Sequence, residues 1–128
     1  MGHAVVHFEI VGSDPPALRR YYADLFGWEY DLGDAATTDI SAPGQYGFVD
    51  GSTTGDGTGI NGGVCGGDGH RPRVLFYVGV PDVEAALQQA EALGGRRVMG
   101  PVRSADGPLV VGHITDPEGN LIGVAGTA

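Results

Sequence analysis

Apolar and polar side chains alternate along residues 4–10. Val6, Phe8 and Ile10 fall on one face and Val5, His7 and Glu9 on the other, the period of a half-buried strand. Ser13 or Asp14 then supplies a helix cap, with Pro15 and Pro16 in a first turn that needs no backbone donors. Leu18, Tyr21, Tyr22, Leu25 and Phe26 follow with helical spacing until Gly27 stops them. Residues 28–32 read as a strand. From Gly33 to Gly69 the pattern blurs into Gly, Thr, Ser and Asp, and predicts short strands at 45–50 and 59–65 joined by a mobile loop, 51–57. Pattern returns at residues 73–80, a strand, and Pro81-Asp82 opens a helix carrying Val83, Ala86, Leu87, Ala90 and Leu93 up to Gly94-Gly95. A strand at 96–99 follows. Strands at 109–115 and 121–125 then flank a turn of Asp116-Pro117-Glu118-Gly119-Asn120.

These elements repeat. Val6-His7-Phe8-Glu9-Ile10 recurs 68 residues later as Val74-Leu75-Phe76-Tyr77-Val78, and at that offset Asp14 meets Asp82, Ala17 meets Ala85, Leu25 meets Leu93 and Gly27 meets Gly95. The chain therefore reads as α+β, two βαβββ modules at about 4–66 and 73–126 within one domain, 1–128. A unit this short cannot bury its own apolar faces, so the modules are expected to share a core. Helix faces Leu18-Tyr22-Leu25 and Ala86-Leu87-Ala90 are expected to pack on the outer sheet surfaces.

Composition narrows the chemistry. Seven Arg and no Lys stand against sixteen carboxylates, a net charge of -9, which argues against nucleic acid and against anionic membranes as partners. Arg71, Arg73, Arg96 and Arg97 are too few for a nucleic-acid surface. Without Lys there is no Schiff-base chemistry. The lone Cys65 excludes a disulfide framework, and nothing local activates it as a nucleophile. The glycines around Gly62-Gly63 and Gly66-Gly67 lack the Lys-Ser/Thr ending of a phosphate loop. No apolar run spans a bilayer and no leader pattern opens the chain, so a cytoplasmic location is the expectation. The Gly, Ala, Val and Arg bias hints at a GC-rich bacterial genome.

The two strand-helix openings, residues 6–27 and 74–95, together with Thr115-Asp116-Pro117-Glu118-Gly119-Asn120-Leu121-Ile122-Gly123, resemble the vicinal oxygen chelate superfamily. That superfamily includes glyoxalase I, extradiol dioxygenases, fosfomycin-modifying enzymes and bleomycin resistance proteins. His-Phe-Glu-Ile is similar to the glyoxalase-like branch, whose reactions are often unassigned. The resemblance implies a cupped, incomplete barrel with helices outside, a small-molecule ligand in the cup and a homodimer. It also implies metal ligands on the opening and last strand of each half. Those positions fall on His7, Leu75, Gly63 and Gly123, and only His7 carries a donor, too little for a metal held by about three protein ligands. No cofactor is therefore expected. The alternative is an unusual two-His, one-carboxylate set of His7, Glu9 and His113.

His7 reads two ways, as an acid/base residue or as an inherited ligand position hydrogen-bonded in place. A carboxylate at the centre of an apolar strand needs a partner or a wet cavity, so Glu9 reads as site-lining. With a five-residue turn, Thr115 opposes Leu121 and His113 opposes Gly123. The missing side chain at Gly123 is then expected to leave a void beside His113 for a ligand. A register slip of one would turn His113 outward instead. Tyr77, the repeat partner of Glu9, donates its hydroxyl or only fills space. Asn61, Gly63, Leu75 and Leu121 complete the predicted lining. Two functions compete. One is a metal-independent lyase or isomerase on a small oxygenated metabolite, with His113 or His7 moving the proton and Glu9 orienting it. The other is a sequestering protein without catalysis, for which the acidic charge suits a cationic drug.

Overall fold

The computed structural model describes all 128 residues, Met1–Ala128. Its elements run β1 (Val5–Gly12), α1 (Pro15–Phe26), β2 (Asp31–Gly33), β3 (Tyr46–Val49), a 3-10 turn (Gly51–Thr53), β4 (Asn61–Gly66), β5 (Arg73–Gly79), α2 (Val83–Ala92), β6 (Arg96–Arg103), β7 (Val110–Thr115) and β8 (Leu121–Gly126). The chain is α+β, with the two βαβββ modules of the pattern. Contacts divide it into an N-terminal unit, His7–Val74, and a C-terminal unit, Leu75–Ala128 joined by Met1–Val6.

The N-terminal unit orders its strands β2-β3-β4-β1, with β4 parallel to β1 and antiparallel to β3. Asp14 caps α1 by accepting from Ala17 N–H at 3.2 Å, and Gly27 ends it at φ 74°, a left-handed conformation that glycine adopts without a Cβ clash. Leu18 lies against Gly12, and the Phe8 ring covers Gly62, so α1 and the β1 side chains beneath it lie on one face of the sheet. Trp28 does not ladder as a strand. It packs among Phe8, Tyr22 and Phe26 with ring centroids 5.1–5.5 Å apart, and β2 begins three residues later. Leu25 remains 55% exposed, contrary to the expected packing face, because this aromatic cluster covers the end of the helix instead.

Residues 51–57 are a folded turn rather than the expected mobile loop. Asp50 accepts from Ser52 N–H at 2.9 Å, Thr54 Oγ1 donates to the Gly51 carbonyl at 2.9 Å, and Asn61 Oδ1 accepts from Gly51 N–H at 2.8 Å. The Ser, Thr and Asp side chains that blurred the pattern are those that hold the turn.

The C-terminal unit orders its strands β5-β8-β7-β6. Asp82 caps α2, and Val83 and Leu87 bury against Val110 and Val124. Leu87 is fully buried, so Leu87→Ala is expected to cost about 2–5 kcal/mol. The predicted hairpin register holds: His113 opposes Gly123 and Thr115 opposes Leu121. Strand β6 runs four residues beyond its predicted end at Met99, through Pro101. It is an edge strand with register shifts against β7, and proline is tolerated there because no ladder donor is required of it. Arg97 on β6 grips Glu84 of α2 through two hydrogen bonds of 2.8 and 2.7 Å.

Candidate functional site

The face of the N-terminal sheet opposite α1 carries the polar groups. His7 and Glu9 alternate on β1 and pair in register with Asn61 and Gly63 of β4, and Gly63 pairs in turn with Phe48 of β3. The Tyr46 ring lies across Gly63, where any Cβ would collide with its tip. That placement carries the phenol oxygen to both β1 side chains. Tyr46 Oη donates to Glu9 Oε2 at 2.9 Å and lies 2.7 Å from His7 Nε2. A phenol has one proton, so with it directed at the carboxylate the short contact to His7 is donated by Nε2–H. The chain runs His7 Nε2–H to Tyr46 Oη–H to Glu9. Burial lowers the His7 pKa from 6.5 to about 4, which leaves a neutral imidazole at neutral pH. Glu9 is 2% exposed, and Tyr46 is a partner of the kind that its burial demands.

The sequence reading did not select Tyr46. Its signal was the bare glycine at Gly63: a missing side chain in a buried row implies a neighbour that fills the space.

The C-terminal unit repeats the device with other residues. Tyr77, Gly123 and His113 stand in register across β5, β8 and β7. The Tyr77 ring occupies the space over Gly123, and its hydroxyl meets His113 Nε2 at 2.7 Å. The expected void beside His113 is therefore filled by Tyr77. Both side chains are 2% exposed. Leu75 is buried and apolar, while Leu121 is only partly buried at the start of β8. Asn61 commits its side-chain oxygen to the backbone of the 51–53 turn rather than to a ligand.

Cys65 is buried, and burial with the nearby charge of Glu9 pushes its thiol up to about 12. It is no nucleophile at neutral pH. An open cleft of about 390 Å³ also exists in the N-terminal unit, lined by Phe26, Gly27, Trp28, Thr53, Thr54 and Gly55. None of the polar row lines it.

Comparison with known proteins places this architecture. Residues 7–125 match the Glyoxalase-like domain. The chain belongs to that family. The fold of this glyoxalase-like domain is shared: methylmalonyl-CoA epimerase of Streptomyces coelicolor, in complex with 2-nitronate-propionyl-CoA, superposes with TM-score 0.69 at 16% identity, covering 98% of each chain. Methylmalonyl-CoA epimerase from Mycobacterium tuberculosis gives 0.62 at 18% identity over 97% of this chain and 87% of that one. A glyoxalase/bleomycin resistance protein/dioxygenase superfamily member from Vibrio splendidus 12B01 gives 0.57 at 19% identity over 98% and 99%. These likenesses show the vicinal oxygen chelate fold. No curated protein sequence matches the chain.

The residues of this glyoxalase-like domain do not fit the divalent metal that the superfamily implies. Gly63 and Gly123 hold tyrosine rings where ligands were expected, and Leu75 has no donor atom. His7 and Glu9 converge on the Tyr46 hydroxyl, which occupies the point between them. No group of three or more His, Cys, Asp or Glu side chains is placed to hold a metal ion. No helix is long and apolar enough to cross a membrane.

Proposed function

We propose that this glyoxalase-like domain is a proton-transfer catalyst of the lyase or isomerase type, acting on a small oxygenated metabolite without a divalent metal. The observation that carries the reading is the His7–Tyr46–Glu9 chain. A buried carboxylate held by a phenol that is itself held by a neutral imidazole is an oriented acid/base group. His7, depressed to about 4, is a weak base and serves to orient Tyr46. Glu9 accepts the carbon-bound proton and returns it, and Tyr46 donates to the carboxylate before transfer. Likeness to two methylmalonyl-CoA epimerases supports an isomerase, and CoA thioesters enter the substrate panel on that ground. The competing reading, sequestration of a cationic ligand, draws on the net charge of -9. The buried relay favours catalysis.

Solvent deuterium incorporation decides between them. The test incubates the protein in D₂O with a panel of 2-substituted carbonyl compounds, methylmalonyl-CoA included, and follows the C2 proton by NMR. Expected are exchange by wild type, a loss of about a hundredfold in Glu9→Gln, a smaller loss in Tyr46→Phe, and no change on adding chelator. Exchange that survives Glu9→Gln removes Glu9 as the base, and exchange that chelator abolishes removes the metal-free reaction. We further propose a homodimer seamed on α1, where Tyr21 and Phe26 stay exposed. Sedimentation showing only monomer at micromolar concentration removes that assembly.

A further inference from the structure

We propose that Arg73 is the residue that holds a carboxylate group of the ligand, which makes the substrate class a small carboxylic acid or a derivative carrying a free carboxylate. The inference rests on placing the proton-transfer site at Glu9, and it adds what the substrate must present beside the exchanging carbon.

Three observations carry it. Arg73 Nε is buried and has no hydrogen-bond partner, one of two such side-chain atoms, the other being Gln45 Oε1. An amide can be turned about to exchange oxygen for nitrogen, whereas a guanidinium offers donors whichever way it lies. A buried donor left without an acceptor is costly, so the site is built for an acceptor. Second, Arg97 pairs with Glu84 and Glu91, whereas Arg73 makes no ion pair although the chain carries sixteen carboxylates to seven arginines. Arg73 has been left without an acidic partner in a protein rich in them. Arg19, by contrast, is committed to the Gln45 carbonyl at 3.0 Å. Third, Arg73 opens β5 on the same strand face as the buried Leu75, and Cys65, whose thiol Glu9 pushes up and Arg73 pulls down, pairs with Val11 two residues beyond Glu9. A cation for binding and a carboxylate for proton transfer thus share one environment in the N-terminal unit.

The geometry of the donor selects the ligand group. Nε–H and one Nη–H lie parallel along one edge of the guanidinium and match two oxygens on a single atom. A carboxylate and a phosphate both present such a pair. A carboxylate is favoured because it brings a single charge to the fork, whereas a phosphate dianion concentrates two charges on one group in a protein of net charge -9.

Isothermal titration of the full chain at fixed ionic strength tests this, with malonate, its neutral counterpart malonamide, and inorganic phosphate as probes. Expected is malonate binding in the millimolar range, no binding of malonamide, and phosphate weaker than malonate. Arg73→Gln is expected to weaken malonate by about tenfold or more, with Arg73→Lys intermediate because it keeps the charge and loses the fork. Malonate binding unchanged in Arg73→Gln, malonamide bound as tightly as malonate, or no malonate binding by wild type each overturns the proposal. Phosphate bound more tightly than malonate overturns the choice of carboxylate. Should Arg73→Gln not fold, Arg73→Lys and the malonamide comparison still decide. Malonate binding lost in Arg73→Gln with no deuterium exchange by wild type would sink the proton-transfer reading and leave this subsite standing. Exchange by wild type with malonate binding intact in Arg73→Gln would do the reverse.

Discussion

Across β1, β4 and β3 the N-terminal unit sets Glu9, Gly63 and Phe48 in register; across β5, β8 and β7 the C-terminal unit sets Tyr77, Gly123 and His113. Both rows leave the middle strand bare, and both lay a tyrosine ring over the bare glycine. The rings come from different places. Tyr46 reaches Gly63 from β3 with its tip, whereas Tyr77 covers Gly123 from the opening strand with the root of its ring. The first arrangement leaves a phenol linking a carboxylate to an imidazole, a chain able to pass a proton. The second joins a tyrosine to a histidine in a buried row. A duplicated scaffold has kept its glycine seats and changed what sits on them, so one half carries the chemistry that we propose and the other a buried polar clasp.

Substituting the glycines separates these roles most sharply. At Gly123 a new side chain meets Tyr77 Cδ2, Cε2 and Cγ, which move only if the whole buried ring turns and gives up its bond to His113, so Gly123→Val is expected to cost roughly 3 kcal/mol or more in urea unfolding. At Gly63 it meets the far end of Tyr46, which can swing aside. Gly63→Val is therefore expected to cost about 1–2 kcal/mol of stability while breaking the Tyr46–Glu9 contact and with it deuterium exchange. Equal destabilisation by the two would erase the distinction.

Acid should probe the N-terminal half next. The His7 pKa is lower folded, about 4, than the 6.5 of a free imidazole side chain, so the unfolded chain takes up the proton first. The contribution to stability is fully present above about pH 6.5 and is lost as pH falls towards 4, at most about 3 kcal/mol. His7→Asn is expected to flatten that limb of the stability profile. A variant with the wild-type slope would place the linkage elsewhere.

Hydroxyl deletion is a milder cut. Tyr77→Phe and Tyr46→Phe should each lower stability by about 1–2 kcal/mol, and only Tyr46→Phe should slow exchange. Loss of exchange in Tyr77→Phe would assign catalysis to both halves. Smallest of all is Cys65: with its thiol near 12 and buried, native protein at pH 8 should resist iodoacetamide and become labelled only on unfolding.

How much of this was legible beforehand differs between residues. The 68-residue repeat gave both βαβββ modules, the Asp14 and Asp82 caps and the Gly27 stop, because caps and alternation are properties of a few consecutive residues. The His113–Gly123 register was legible because a five-residue turn fixes its pairing. Glu9 was legible as a buried carboxylate with a partner, since its burial cost follows from its place on an apolar strand. Edge strand β6, the folded 51–53 turn and the exposure of Leu25 were not, because each depends on what a neighbouring segment supplies: a tolerant sheet edge, the Asn61 side chain, and the turned-in Trp28.

The sequence by itself determined the fold, the inward face of His7 and Glu9, and the glycines at 63 and 123. It could not say what fills a glycine. A bare position in a sheet is read equally well as a void for a ligand or as a seat for a ring, and only packing across strands decides. Tyr46 and Tyr77 decided it here, turning two missing metal ligands into two tyrosine seats, because a side chain's reach across neighbouring strands is set by register and not by its own local sequence.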